Sequence, residues 1–127
     1  MISKPLVEGL TELRLLGVAV VIGLLQLAWA ASHQNEPQVI YGAAARLRRA
    51  MANFLETFPL FAASVLAAVA LGRTGATTLA GAWLYVVARA VYVPLYALNL
   101  PVLRGLAWFA ALIGIVLELL ALLGPLH

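Results

Sequence analysis

Arg46-Leu47-Arg48-Arg49-Ala50-Met51-Ala52-Asn53-Phe54-Leu55-Glu56-Thr57-Phe58-Pro59-Leu60-Phe61 gathers three of the chain's eight basic residues, then carries an asparagine and a glutamate into an apolar run. Read as a helix, Arg46, Arg49, Asn53 and Glu56 follow at spacings of three, four and three, so they share one face. A polar face is entering an apolar medium. Arg49 and Glu56 lie about two turns apart, roughly 10 Å, too far for a direct ion pair. Glu56 therefore needs a partner on another helix, on another subunit or in a ligand.

The medium follows from composition. The chain has 127 residues, 65% of them hydrophobic, with a mean hydropathy of +1.03. A water-soluble domain of this length could not cover that much apolar surface, so the sequence predicts a single all-α domain over residues 1–127, embedded in lipid. The absence of cysteine excludes disulfides, thiolate metal sites and a cysteine nucleophile. Any thiol chemistry must use a substrate's sulfur. A formal charge of +3, dispersed along the chain, argues against a nucleic-acid partner.

Four runs are long enough to cross a hydrocarbon core of roughly 30 Å, at about 10–31, 49–71, 76–98 and 105–123. The first reads as a retained span rather than a signal peptide, since its leading segment carries Glu8 and Glu12 and it is long for such a segment. Glu8, Glu12 and Arg14 are expected to stay wet at its entry. Between the first two runs, Ser32 to Ala45 is the one extended polar connection, and His33 there lacks the neighbours of a metal set. No metal site is expected. Pro59 predicts a break in the second helix and a freed carbonyl, while Ala62, Ala63, Ala67 and Ala70 offer a small-residue face for close helix packing. Gly72-Arg73-Thr74-Gly75 reads as a tight turn with Thr74 or a following threonine capping the third helix. Asn99-Leu100-Pro101 ends that helix, and Arg104 marks the next interface. With four spans both termini share a side with Arg73, while Arg46, Arg48, Arg49 and Arg104 occupy the other, which the positive-inside rule places in the cytoplasm.

The third helix carries Arg89, Tyr92 and Tyr96 on one face. By residue rise, Arg89 and Glu56 lie at nearly the same depth, where an unpaired charge is costly, so both are expected to face the bundle interior or a water-filled cavity. A Glu56–Arg89 pair that merely pins the bundle and a functional site are equally open on these two residues. The surrounding set favours a site: Arg46, Arg49 and Arg104 crowd the rim, and Asn53, Tyr92 and Tyr96 add neutral hydrogen-bonding groups. Several guanidinium forks around one carboxylate suit a small ligand with multiple carboxylates and one ammonium. Arg48 points off this face and reads as topological. Tyr85, Trp29, Trp83 and Trp108 read as belt or packing residues, and Glu118 as a partner for Arg14 or Arg73.

Arg49-Ala50-x-x-Asn53-x-x-Glu56-x-x-Pro59-x-Phe61, followed by Arg89-x-x-Tyr92-x-x-x-Tyr96 and Arg104, resembles the signature of the MAPEG superfamily, the membrane-associated proteins in eicosanoid and glutathione metabolism. The four-span layout is similar as well, and the compact alanine-rich form looks bacterial, implying an inner-membrane location. The resemblance implies a homotrimer of four-helix bundles with glutathione between subunits on the cytoplasmic side. It implies that Arg46, Arg49, Asn53, Glu56, Arg89, Tyr92 and Tyr96 hold the tripeptide, Glu56 taking its ammonium group, and that Arg104 lies by the sulfur. Glutathione would be the co-substrate and a lipophilic electrophile the second substrate, arriving from the bilayer. Eicosanoid-synthesising relatives carry an arginine near the end of the first helix, where this chain has Ala28-Trp29-Ala30-Ala31-Ser32-His33. Two other classes fit the layout: a small four-helix transporter using Glu56, which leaves the arginine set unexplained, and a scaffold that keeps the fold without the chemistry.

Overall fold

The computed structural model describes residues 3–32 and 43–125. The polar connection, including His33, lies outside the described residues. The described residues form five helices: α1 (Lys4–Glu8), α2 (Leu10–Ser32), α3 (Ala43–Ala70), α4 (Ala76–Ala97) and α5 (Pro101–Leu123). The last four are each long and apolar enough to cross a membrane. The short α1, with proline in its first turn, was not anticipated from the sequence; Gly9 separates it from α2.

The surface differs from that of a soluble domain, and polar groups join an apolar core. Leu24, Leu25, Leu60, Leu66, Val102, Leu106 and Phe109 point outwards, whereas Glu12, Gln26, Thr57, Ser64, Thr78, Arg89 and Glu118 are buried. In lipid this is the stable arrangement, because leucine gains nothing from leaving hydrocarbon while polar groups gain by finding one another. Helix α4 is the central element. It packs against α2, α3 and, most extensively, α5, while α2 and α5 sit apart on either side.

Glycine sets the closest crossing. A Cβ on Gly81 of α4 would lie 2.7 Å from the Gly114 carbonyl oxygen of α5, and one on Gly114 would lie 2.7 Å from the Gly81 oxygen. Backbone meets backbone there. The alanine face expected to serve this purpose does not do so within the chain: Ala63 and Ala70 are exposed, Ala62 and Ala67 are half-buried, and the core edge of α3 is Phe61, Val65, Ala68 and Val69. Tyr85 lies wholly inside, its ring stacked 4.0 Å from that of Phe61 and its hydroxyl 2.9 Å from Thr57 Oγ1.

Both tight links are closed by a residue in the left-handed region. After α3, Gly72 (φ 68°) donates to the Val69 carbonyl and Arg73 to that of Ala68. After α4, Asn99 (φ 58°) donates to Tyr96 and Leu100 to Leu95. Each is a paired C-terminal closure that satisfies otherwise orphaned carbonyls, and asparagine is among the few side chains that tolerate this conformation. The threonine at the start of α4 is Thr78, whose hydroxyl accepts a bond from the Gly75 N–H at 2.8 Å.

Helix ends differ from expectation at two functional positions. Helix α3 begins at Ala43, about two turns before 49, so Arg46 and Arg49 lie within it. Helix α5 begins at Pro101, because proline in the first turn has a suitable φ and needs no donor. Arg104 is thus fixed on a helix, its N–H donating to the Leu100 carbonyl at 3.0 Å.

Candidate functional site

The link at Asn99 turns the chain so that the first turn of α5 stands over the last turn of α4. Arg104 consequently lies on Tyr96, with its guanidinium carbon 4.3 Å from the ring centroid. Arg49, from the first half of α3, approaches the same ring at 6.0 Å. One tyrosine joins two cations from different helices. Such contacts are worth about 0.5–2 kcal/mol each according to exposure. One turn deeper, the Tyr92 ring lies 5.4 Å from that of Tyr96 and carries the Arg89 guanidinium 4.2 Å from its own centroid.

Arg89 is completely buried. It donates to Asn53 Oδ1 at 2.7 Å and to the Ala50 carbonyl at 3.4 Å, and Phe54 contributes a second aromatic ring at 5.5 Å. These contacts tie α4 to α3 beneath the two tyrosines. The sequence pattern located Arg89 and Asn53 on facing stripes; it missed Phe54 and the Ala50 carbonyl, whose signal was only their position beside Asn53 and Arg49. The Glu56–Arg89 pair does not form: Arg89 takes a neutral partner, and Glu56 faces the outside of the bundle. Among the described residues no hydrogen bond or ion pair engages the Glu56 carboxylate, although it lies within electrostatic range of the Tyr92 hydroxyl. The helical register was right and the direction was not: the stripe straddles the edge of α3, so Asn53 turns in and Glu56 turns out.

Arg46 also makes a contact that the sequence did not show. Its Nε donates to the Ala97 carbonyl at 3.1 Å, filling an acceptor left open at the end of α4. Arg49, Tyr96, Arg104, Tyr92, Arg89 and Asn53 therefore form one continuous track from the helix ends inwards, with Glu56 beside it and Arg46 buttressing α4. The arrangement offers cations near the rim, a carboxylate about two turns deeper, and phenolic groups between.

The opposite end of the bundle carries a second polar set. Glu12, expected to be wet, is buried and accepts a 2.7 Å bond from Thr78 Oγ1. Glu118 is fully buried against Gly81, where a Cβ would come within 3.0 Å of Oε1, and neither of its oxygens has a hydrogen-bond partner. It pairs with neither expected cation: Arg73 donates instead to the carbonyls of Ala121 (3.2 Å) and Gly124 (2.6 Å), and Arg14 is exposed. Among the described residues no cluster of three potential metal ligands occurs.

A bundle of four apolar helices, with an arginine–tyrosine track at one end and leucines outside, defines a helical integral membrane protein. The chain belongs to the MAPEG family, whose family-wide pattern it matches over residues 13–124. It is thus a membrane protein of the eicosanoid and glutathione metabolism type. Comparison with curated proteins and with solved structures gave no match.

Proposed function

We propose that the protein is a glutathione-dependent transferase or peroxidase of the membrane, acting on lipophilic electrophiles. The observation that carries this reading is the Arg49–Tyr96–Arg104 stack placed beside an outward Glu56 that no group of the described chain engages. Glutathione has two carboxylates, one ammonium and one thiol. Arg49, with Arg46 at the rim, answers the carboxylates, Glu56 the ammonium, and Arg104 the sulfur; Tyr92 and Tyr96 line the path. Arg89 and Asn53 position this wall rather than touching the ligand, since Arg89 is enclosed.

The chemistry asked of Arg104 is modest. A free thiol has a pKa near 8.5 and is largely protonated at neutral pH, and a nearby fixed cation favours the thiolate. The thiol proton leaves to water, and the sulfur lone pair attacks the electrophilic carbon as a C–X bond breaks towards the leaving group. With a peroxide, the thiolate instead attacks oxygen, and the O–O bonding pair leaves on an alkoxide that takes a proton from water. A second glutathione thiol converts the resulting sulfenic acid to the disulfide and water.

An outward carboxylate at membrane depth is costly against lipid. A second copy of the chain lying over this face would enclose Glu56 and convert the open track into a cleft, which favours a homotrimer with glutathione between subunits. The excess of arginine at the track end favours a cytoplasmic placement there, with both termini on the far side of a bacterial inner membrane.

The test is equilibrium glutathione binding to detergent-purified protein, with thiolate absorbance recorded in the same samples. Saturable binding that falls at least tenfold in Glu56→Gln, together with a thiolate signal lost in Arg104→Ala, is the expected result. Absence of binding at millimolar glutathione sinks the proposal and leaves the fold as the only family property.

A further inference from the structure

A cleft of about 460 Å³ runs between α2 and α4 beneath the arginine end, a volume ordinary for a small-molecule site. Trp29, Leu47 and Val93 form its apolar walls. Set into those walls is Gln26, which is 6% exposed, with neither its amide nitrogen nor its amide oxygen hydrogen-bonded. A buried primary amide with no partner is expensive, at about 1–3 kcal/mol for each unsatisfied group.

The opposite wall supplies a second acceptor. Pro94 and Ala90 both line the cleft, and Pro94 has no N–H, so the Ala90 carbonyl four residues earlier loses its helical donor. Gln26 does not fill that role, because its amide nitrogen is itself unpartnered. Among the described residues, the Gln26 amide and the Ala90 carbonyl thus border an otherwise apolar, uncharged space in the hydrocarbon region.

We propose that this cleft binds a neutral single-chain lipid whose hydroxyl group donates to the Gln26 amide oxygen and accepts from the Gln26 amide nitrogen, both of which are otherwise without a partner. Lack of charge in the walls selects a neutral head over a carboxylate or phosphate. Depth selects a ligand that arrives from the bilayer: Gln26 lies six residues, roughly 9 Å, inside the end of α2. Access from lipid is direct, since Ala90 and Pro94 are exposed on the surface of the chain. The lipid bound here is not a reactant for Arg104. At 100° per residue, the Ala90–Val93–Pro94–Ala97 stripe is about 115° around α4 from the Arg89–Tyr92–Tyr96 stripe, so the helix stands between cleft and track. The site therefore goes beyond the glutathione reading and does not depend on it.

The experiment uses Trp29, one turn from Gln26, as a reporter in a Trp83→Phe/Trp108→Phe background, in detergent without any thiol. The probes are 2-bromohexadecan-1-ol, whose bromine sits beside the hydroxyl and quenches tryptophan at contact, and its methyl ether, which cannot donate. Saturable quenching by the alcohol, about tenfold weaker for the ether, is expected. Gln26→Leu should remove that preference, and Ala90→Leu, which fills the cleft from the other wall, should abolish saturable quenching by both. The proposal fails if alcohol and ether quench alike, if Gln26→Leu keeps the preference, or if quenching only rises in proportion to probe in the micelle. It also fails if Trp29 is shielded from both probes, the outcome expected when a second copy of the chain covers the cleft. A negative glutathione titration leaves this readout untouched, and the reverse holds too.

Discussion

The two ends of the bundle each carry charge into the membrane, and they handle it in opposite ways. At the far end, Glu12, Thr78 and Glu118 come from three helices and point at one another, closed in beside the Gly81–Gly114 crossing. At the arginine end the groups run along the outside edge: Arg89 is enclosed, Tyr96 and Arg104 are half-buried, and Arg49 and Glu56 are exposed. The first set is enclosed within one chain, though Glu118 has no hydrogen-bond partner there. The second lies open along an edge, and it is this access from outside that suits polar residues to serve a ligand.

The largest expected effect tests the closed end. Gly114→Val pushes a branched side chain into the Gly81 carbonyl and the Tyr85 backbone, neither of which is a flexible tip. The expected cost exceeds about 3 kcal/mol, the upper range for overpacking where side chains can adjust. Size-exclusion profiles and thermal unfolding in detergent should show loss of the folded species, and a native profile would show that the helices can part without harm. Arg89→Met comes next. It leaves Asn53 Oδ1 and the Ala50 carbonyl without their donor, and should destabilise by about 2–3 kcal/mol while weakening glutathione binding through Tyr92. Binding that survives undiminished would mean the enclosed arginine matters only to the fold.

Glu118→Gln sharpens the contrast with a smaller effect. The Glu118 carboxyl group has no hydrogen-bond partner, so an amide of the same shape, which cannot ionise, gives up no bond made here. The melting temperature should hold or rise, by no more than about 1 kcal/mol in stability. A fall of several degrees would reveal a cation or donor at this end and erase the distinction drawn above. The smallest effect is Tyr96→Phe: the ring that carries Arg49 and Arg104 is retained, and stability should change by less than about 0.5 kcal/mol. If glutathione affinity nonetheless falls tenfold, the hydroxyl itself is a ligand contact.

Much of the fold was legible because its signals are local. Length and apolarity define the four spans, and Gly72 and Asn99-Leu100-Pro101 close them with chemistry that few other residues could supply. That Arg89, Tyr92 and Tyr96 share one face was legible for a similar reason, since helical spacing alone places them together. Direction was not legible. Whether the Asn53–Glu56 stripe faces a neighbour helix or the outside depends on the rotation of α3, which tertiary contacts such as Phe61 on Tyr85 decide. Glu12 was misread for the same reason: its position near a helix end suggests water, but Thr78 on α4 claims it. The bond from Arg46 to the end of α4 was not legible either, because no sequence rule shows that this helix end lies within its reach.

The crossing at Gly81 and Gly114 bears on how the chain enters the bilayer. The link from Leu98 to Leu100 is so short, and the backbone contact so intimate, that α4 and α5 can leave the aqueous phase as a single antiparallel hairpin. In that hairpin Glu118 already lies against Gly81, shielded on one side by the partner helix before α2 and α3 are in place. A side chain on either glycine would oblige the carboxylate to meet lipid alone. The two missing methyl groups thus lower a barrier to membrane insertion as well as setting the spacing of the finished bundle.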